Sequence, residues 1–161
     1  MAKDIHPVTP AVRCLREHGL AYVPRPYAYV EHGGTRHPAE ALGLDEHAVI
    51  KTLVMETDER RPLLVLMHGD REVSTRQLAR ALGARGVTPC SEATAERLTG
   101  YQVGGISPLG TRAKLPVYVE RTVLDLPRIA INGGRRGFLV ELDPRDLARA
   151  LAATPVEVAV G

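Results

Sequence analysis

The run from Ala48 to Met55, Ala-Val-Ile-Lys-Thr-Leu-Val-Met, most constrains the fold. As a strand it puts Val49, Lys51, Leu53 and Met55 on one face, and Ile50, Thr52 and Val54 on the other. Both faces are largely apolar, so the strand is expected at the centre of a sheet covered on both sides. Lys51 is the exception. A lysine inside such a strand costs free energy unless its ammonium reaches water or an anion. Either it sits near the strand's start and snorkels outward, or it is a fixed cation at the floor of a pocket, facing a phosphate or an ester carbonyl.

Further strand-like runs cover 22–29, 63–67, 117–120, 128–132, 138–142 and 156–160. Helix boundaries are written in caps. Thr9-Pro10 and Asp143-Pro144 each place a capping oxygen before a proline at the first helical position. Gly19 closes the first of these helices, and Leu147, Ala148 and Leu151 form the stripe of the other. Ser74-Thr75-Arg76-Gln77 reads as a capping box. Ser91 caps a short helix ending near Gly100, and 38–42 before Gly43 reads as another. Strands outnumber helices in irregular order. The fold class is therefore α/β of the α+β type: a mixed, curved, mostly antiparallel sheet with helices packed around it.

A chain of 161 residues fits one domain, 1–161, and at that length about 70% of the unfolded surface becomes buried. With no Trp and one Phe, the core must be built from Leu, Val, Ile and Ala. Net charge is +2, which allows a nucleic-acid partner without demanding one. Of 21 basic residues only Lys3, Lys51 and Lys114 are lysines, so a lysine stands out wherever it occurs. Cys14 and Cys90 are far apart and in no metal-type spacing, which predicts a reducing compartment and no disulfide framework; no metal site is expected. No leader is visible near the N-terminus and no apolar stretch reaches the ~20 residues of a membrane span, so a cytoplasmic location is expected.

Two loops join Lys51 as candidates. Gly104-Gly105-Ile106-Ser107-Pro108-Leu109-Gly110 interleaves permissive and rigid positions, so it can turn successive N–H groups toward one point as an anion nest or oxyanion hole. The alternative is a tight turn. Asn132-Gly133-Gly134-Arg135-Arg136-Gly137, flanked by strands, is a hairpin signal. Its two arginines read either as a phosphate grip or as a solvated tip. His32 and His37, with Glu31, lack a third ligand at fixed spacing and read as loop polar groups. No Gly-x-Ser-x-Gly elbow is present.

Taken together, 50–54, the run Gly100-Tyr101-Gln102-Val103-Gly104-Gly105-Ile106-Ser107-Pro108-Leu109-Gly110 and the 132–137 segment resemble, in order and spacing, the YbaK/prolyl-tRNA synthetase-associated domain family. Thr9-Pro10-Ala11-Val12 and Leu78-Ala79-Arg80-Ala81-Leu82-Gly83 extend the likeness, which runs from about Thr9 to Pro155. The resemblance implies an enzyme that cleaves the aminoacyl ester of mischarged tRNA(Pro), with the Cys-specific members most similar in pattern. Ala-tRNA(Pro) deacylation and a non-catalytic tRNA- or synthetase-binding module are the alternatives. It implies no cofactor, and as partners the aminoacylated 3′ end of tRNA and prolyl-tRNA synthetase.

Carried over, Lys51 is the essential lysine near the terminal adenosine and the ester. Gly104, Gly105 and Pro108 form the loop whose backbone holds the aminoacyl group, with Ile106 and Ser107 between them. Tyr27 or Tyr29 matches a pocket tyrosine. Asn132 stands where Cys-specific members often carry Ser, beside Gly133 and Gly134, and Arg135 and Arg136 are the phosphate contacts. An aminoacyl ester is already activated, so positioning and oxyanion stabilisation suffice without a protein nucleophile. For Cys esters the family is thought to use the substrate's own thiol; for Ala esters the attacker is water.

Overall fold

The computed structural model describes residues 6–161. Residues 1–5, including Lys3 and the start of the segment read above as leaderless, lie outside them. In chain order the elements are α1 (Pro10–Glu17), β1 (Val23–Pro26), α2 (Arg36–Leu42), β2 (Ile50–Thr57), β3 (Pro62–His68), β4 (Glu72–Val73), α3 (Thr75–Leu82), β5 (Val87–Pro89), α4 (Glu92–Thr99), β6 (Val117–Glu120), β7 (Ile129–Arg135), β8 (Phe138–Leu142), α5 (Pro144–Leu151), β9 (Thr154–Val156) and β10 (Ala159–Val160). Short 3-10 turns span Glu46–Ala48 and Arg121–Asp125. Among the described residues no helix is long and apolar enough to cross a membrane.

The strands divide among three hydrogen-bonded sheets: five strands in the order β5-β2-β3-β6-β9, three in the order β1-β8-β7, and the pair β10-β4. The large sheet is mixed. The β5-β2 and β2-β3 pairings are antiparallel, whereas β3-β6 and β6-β9 are parallel. The three-stranded sheet is antiparallel throughout. The expected mixed sheet with surrounding helices is thus present, and antiparallel pairs prevail.

β2 is an interior strand but not the middle one: it pairs with β3 from Ile50 to Glu56 and with β5 from Met55 to Thr57. Ile50 and Val54 enter a core shared with α1, β6, β7, β8 and α5, where Leu15, Leu66, Ile131, Phe138 and Leu147 are fully buried. Met55, from the opposite face, joins a second cluster with Val65, Met67 and Leu78 of α3. A third, small cluster of Ala39, Val49, Ala130 and Leu139 seats α2 against β7 and β8.

The caps form as read. Thr9 Oγ1 accepts from Val12 N at 3.0 Å, Ser74 Oγ from Gln77 N at 3.2 Å, Ser91 Oγ from Thr94 N at 3.2 Å and Asp143 Oδ1 from Arg145 N at 2.8 Å. The return half of the Ser74 box is replaced, because Ser74 N donates to Val158 O. The run 156–160 is split at Glu157–Val158, where the N–H groups of Val158 and Ala159 both turn to the buried Glu120 carboxylate. The 22–29 run yields only the four-residue β1, since its Pro24 and Pro26 lack the N–H a ladder needs.

The hairpin differs from its sequence signal. β7 continues through Asn132-Gly133-Gly134 to Arg135, which pairs with Phe138, so the tip lies at Arg136-Gly137. The register shifts between Asn132 and Arg135, so the two glycines form a bulge rather than the turn. Glycine is needed there: a Cβ on Gly133 would lie 2.5 Å from the Phe138 ring, and one on Gly134 (φ 95°) would lie 2.8 Å from Tyr101.

Candidate active site

β5 pairs with β2 only from Met55 onward, and the opposite end of β2 meets β7 through a single parallel bridge, Val49 to Ala130. Between that end of β2 and the bulged hairpin lies a cleft of about 340 Å³. Ile50, Lys51 and Thr52 of β2 line it, with Val103, Gly104 and Ile106 of the glycine-rich loop opposite. Tyr27, Thr35, Pro38, Asn132 and Leu139 complete much of the wall.

Lys51 is thus among the residues that line the same cleft as Gly104 and Ile106. Its side chain is 20% exposed, and its Nζ lies 3.4 Å from the carboxylate of Glu72, whose own side chain is 78% exposed. An ion pair with so exposed an acid is weak, worth about 0–1 kcal/mol, so a substrate anion can compete for the ammonium.

The loop is held by the hairpin. Asn132 Nδ2 donates to Gly104 O at 3.0 Å, while its Oδ1 accepts from Gly134 N and Arg135 N. Arg136 Nε donates to Val103 O at 2.8 Å, its guanidinium stacks 5.0 Å from the Tyr29 ring centroid, and Glu31 lies 3.9 Å away. Gly104 (φ 93°) admits the Tyr29 side chain and Gly105 lets the loop and hairpin backbones touch: Cβ atoms there would lie 2.5 Å from Tyr29 Oη and 2.8 Å from Arg136 N.

Among the expected donors, Gly105 is engaged elsewhere, because its N–H closes a turn onto Gln102 O at 2.7 Å. The N–H groups of Gly104 and Ile106 find no acceptor in the described chain, and both residues line the cleft. Ser107 is wholly buried and its Oγ accepts from Leu109 N, while Pro108 is buried too, so these two brace the loop from behind. Leu109 O and Gly110 O in turn accept from Tyr101 Oη, whose ionisation burial suppresses.

Tyr27 lines the cleft, and burial pushes its phenol above the usual range. Tyr29 lines an adjoining cavity of about 490 Å³ with Glu31, His32, His37 and Arg136, which shares Tyr27, Pro38, Val103 and Gly104 with the first. Arg135 is exposed at the hairpin end, whereas Arg136 is tied into the loop. Gly133 and Gly134 lie behind the wall, Gly133 O accepting from Thr9 Oγ1. Thr52 was not singled out from the sequence, although it is a polar residue between Ile50 and Val54 on its strand face. Burial raises both Cys14 and Cys90 thiols, which makes them poor nucleophiles. No group of three or more His, Cys, Asp or Glu suited to a metal ion occurs among the described residues.

The aminoacyl-tRNA editing domain family matches residues 35–150. A protein of Enterococcus faecalis named "Putative Cys-tRNA(Pro)/Cys-tRNA(Cys) deacylase EbsC" is 31% identical over 137 residues, 84% of each chain. The proline–tRNA ligase of Limosilactobacillus reuteri is 31% identical over 104 residues, 62% of this chain but 18% of the ligase. Among solved structures, one described as a putative trans-editing enzyme for prolyl tRNA synthetase superimposes with a TM-score of 0.81 at 23% identity, covering 96% of this chain and all of the other. The hypothetical protein APE2540 gives 0.86 at 24% identity, over 94% and 99%. At those identities the likeness establishes the fold, and with the match over 35–150 it follows that the chain belongs to the aminoacyl-tRNA editing domain family.

Proposed function

We propose that this protein is an aminoacyl-tRNA deacylase that clears mischarged tRNA(Pro), with cysteine as the foremost misacylated residue. One observation carries the reading: Lys51 lines a single cleft with Gly104 and Ile106, two residues whose N–H groups have no acceptor in the described chain. The EbsC protein's name specifies the same ester class. The proline–tRNA ligase match points to tRNA(Pro), and to prolyl-tRNA synthetase as a partner.

In this mechanism the aminoacyl group enters beside Ile50, Thr52 and Ile106. The ester carbonyl oxygen faces the Gly104 and Ile106 amides, which take up its charge as it becomes tetrahedral. Water adds to the carbonyl carbon, the C–O bond to the ribose breaks, and the released hydroxyl recovers a proton. A cysteine ester offers a second attacker, its own thiol, with the same bond broken and the same donors used. Lys51 releases Glu72 and holds the nucleotide end by charge. Tyr27 closes the wall, Asn132 fixes Gly104, and exposed Arg135 supplies a phosphate contact. Arg136 acts by anchoring the loop.

Removal of one preorganised donor costs about 10²–10³ in kcat, and loss of the positioning charge is expected to act on a similar scale. Lys51→Ala should therefore lower release of cysteine from Cys-tRNA(Pro) by about 100-fold or more, with circular dichroism unchanged. Tight tRNA binding with no turnover by the wild type would instead make the chain a binding module. Undiminished turnover in the variant would remove Lys51 from the mechanism.

A further inference from the structure

Thr52 presents an unfinished hydrogen bond. Its Oγ1 is covered, yet it is the one buried side-chain polar atom among the described residues with no hydrogen-bond partner. An unpaired buried hydroxyl is destabilising, and a group in that state calls for a partner the chain does not itself supply. The residue lines the cleft between Ile50 and Ile106.

The other polar side chains of the wall are differently placed. Thr35 Oγ1 donates to Glu46 and lies 3.2 Å from Gly69 O. The amide of Asn132 is engaged three times by backbone. Lys51 has Glu72 within reach. The aliphatic part of the lining is Val49, Ile50, Val103, Ile106 and Leu139. An unpartnered hydroxyl on such a wall discriminates between small side chains of equal bulk, because only a ligand with its own donor or acceptor satisfies it.

We propose that Thr52 is a specificity-determining residue: its hydroxyl bonds the side-chain S–H or O–H of the misacylated amino acid, favouring a small β-thiol or β-hydroxyl residue over alanine. This deepens the deacylase reading and rests on it. Thr52 borders the cleft, and a change of its χ1 rotamer is the movement that would turn Oγ1 to the substrate.

The test is kcat/KM on Cys-, Ser- and Ala-charged tRNA(Pro) for the wild type, Thr52→Val and Thr52→Ser, with melting temperatures alongside. Valine keeps the shape and removes the hydroxyl, so the variant should melt no lower than the wild type. Its preference for the Cys and Ser esters over the Ala ester should narrow about 10-fold, the scale of one neutral hydrogen bond. Thr52→Ser should retain the wild-type ratios. An equal fall on all three esters would assign the hydroxyl to a group they share, such as the α-amine, and overturn the proposal. Unchanged ratios would overturn it too. A wild type that cleaves none of the three would instead count against the deacylase reading beneath it.

Discussion

Gly105 occupies a position no side chain can enter. A Cβ there would lie 2.8 Å from Arg136 N and 2.9 Å from the Arg135 carbonyl carbon, both of them backbone that cannot rotate away. Gly105→Ala should therefore push the loop off the hairpin. The expected cost is about 1–3 kcal/mol of stability, the usual scale of overpacking. Deacylation should fall further than that cost implies, because Gly104 and Ile106 move with it; paired denaturant titrations and single-turnover rates test this. At this scale the sequence was legible where one residue type contradicts its surroundings. Lys51 could be picked out because it interrupts an apolar strand, and the glycines because they cluster. The engagement of the Gly105 N–H by Gln102 was not legible, nor was the isolation of the Thr52 hydroxyl. Both depend on what stands opposite, and spacing along the chain does not report that.

Helix starts are the elements the sequence spells out best, because a cap is a bond between residues two or three apart. Thr9 and Asp143 look equivalent in sequence, each before a proline. In the structure they differ, since buried Thr9 Oγ1 also donates to Gly133 O at 2.5 Å, linking α1 to the bulge of β7. Asp143→Ala should cost about 1 kcal/mol, an ordinary cap. Thr9→Ala should cost about 1 kcal/mol more, through the unsatisfied Gly133 carbonyl, and chemical denaturation of both variants measures the gap. Short strands were the least legible elements. β4 and β5 have two and three residues and gain their identity only from partners, Ala159–Val160 and Met55–Thr57. The Asn-Gly-Gly triplet misled about the turn because bulge and turn draw on the same glycine freedom, and only the Phe138 and Tyr101 rings decide between them.

Across the whole molecule, a buried polar cluster built on Glu120 and His68 ties β3 and β6 to the Val158–Ala159 segment. Burial alone would raise Glu120, but the N–H groups of Thr122, Val158 and Ala159 and the Thr122 hydroxyl hold its carboxyl below the usual range. His68, buried, stacked 3.7 Å from the His47 ring and bonded to His47 O and Thr122 Oγ1, is lowered chiefly by desolvation. Both folded-state values are depressed, so both groups add stability above their unfolded pKa values, about 6.5 for His and 4.3 for Glu. That stability is lost as pH falls through the folded values. Melting temperature should decline below about pH 6.5 and more steeply below about pH 4, and Glu120→Gln should flatten the lower limb. The division into three sheets was not legible, because alternation reveals that a strand exists but not its neighbour. The candidate site inherits this division. One wall belongs to the large sheet and the other is a loop pinned by the small one through Asn132 and Arg136. Mild denaturant that lets the halves slip should therefore silence turnover while the far-ultraviolet signal is still native, making activity a more sensitive gauge of this fold than its spectrum.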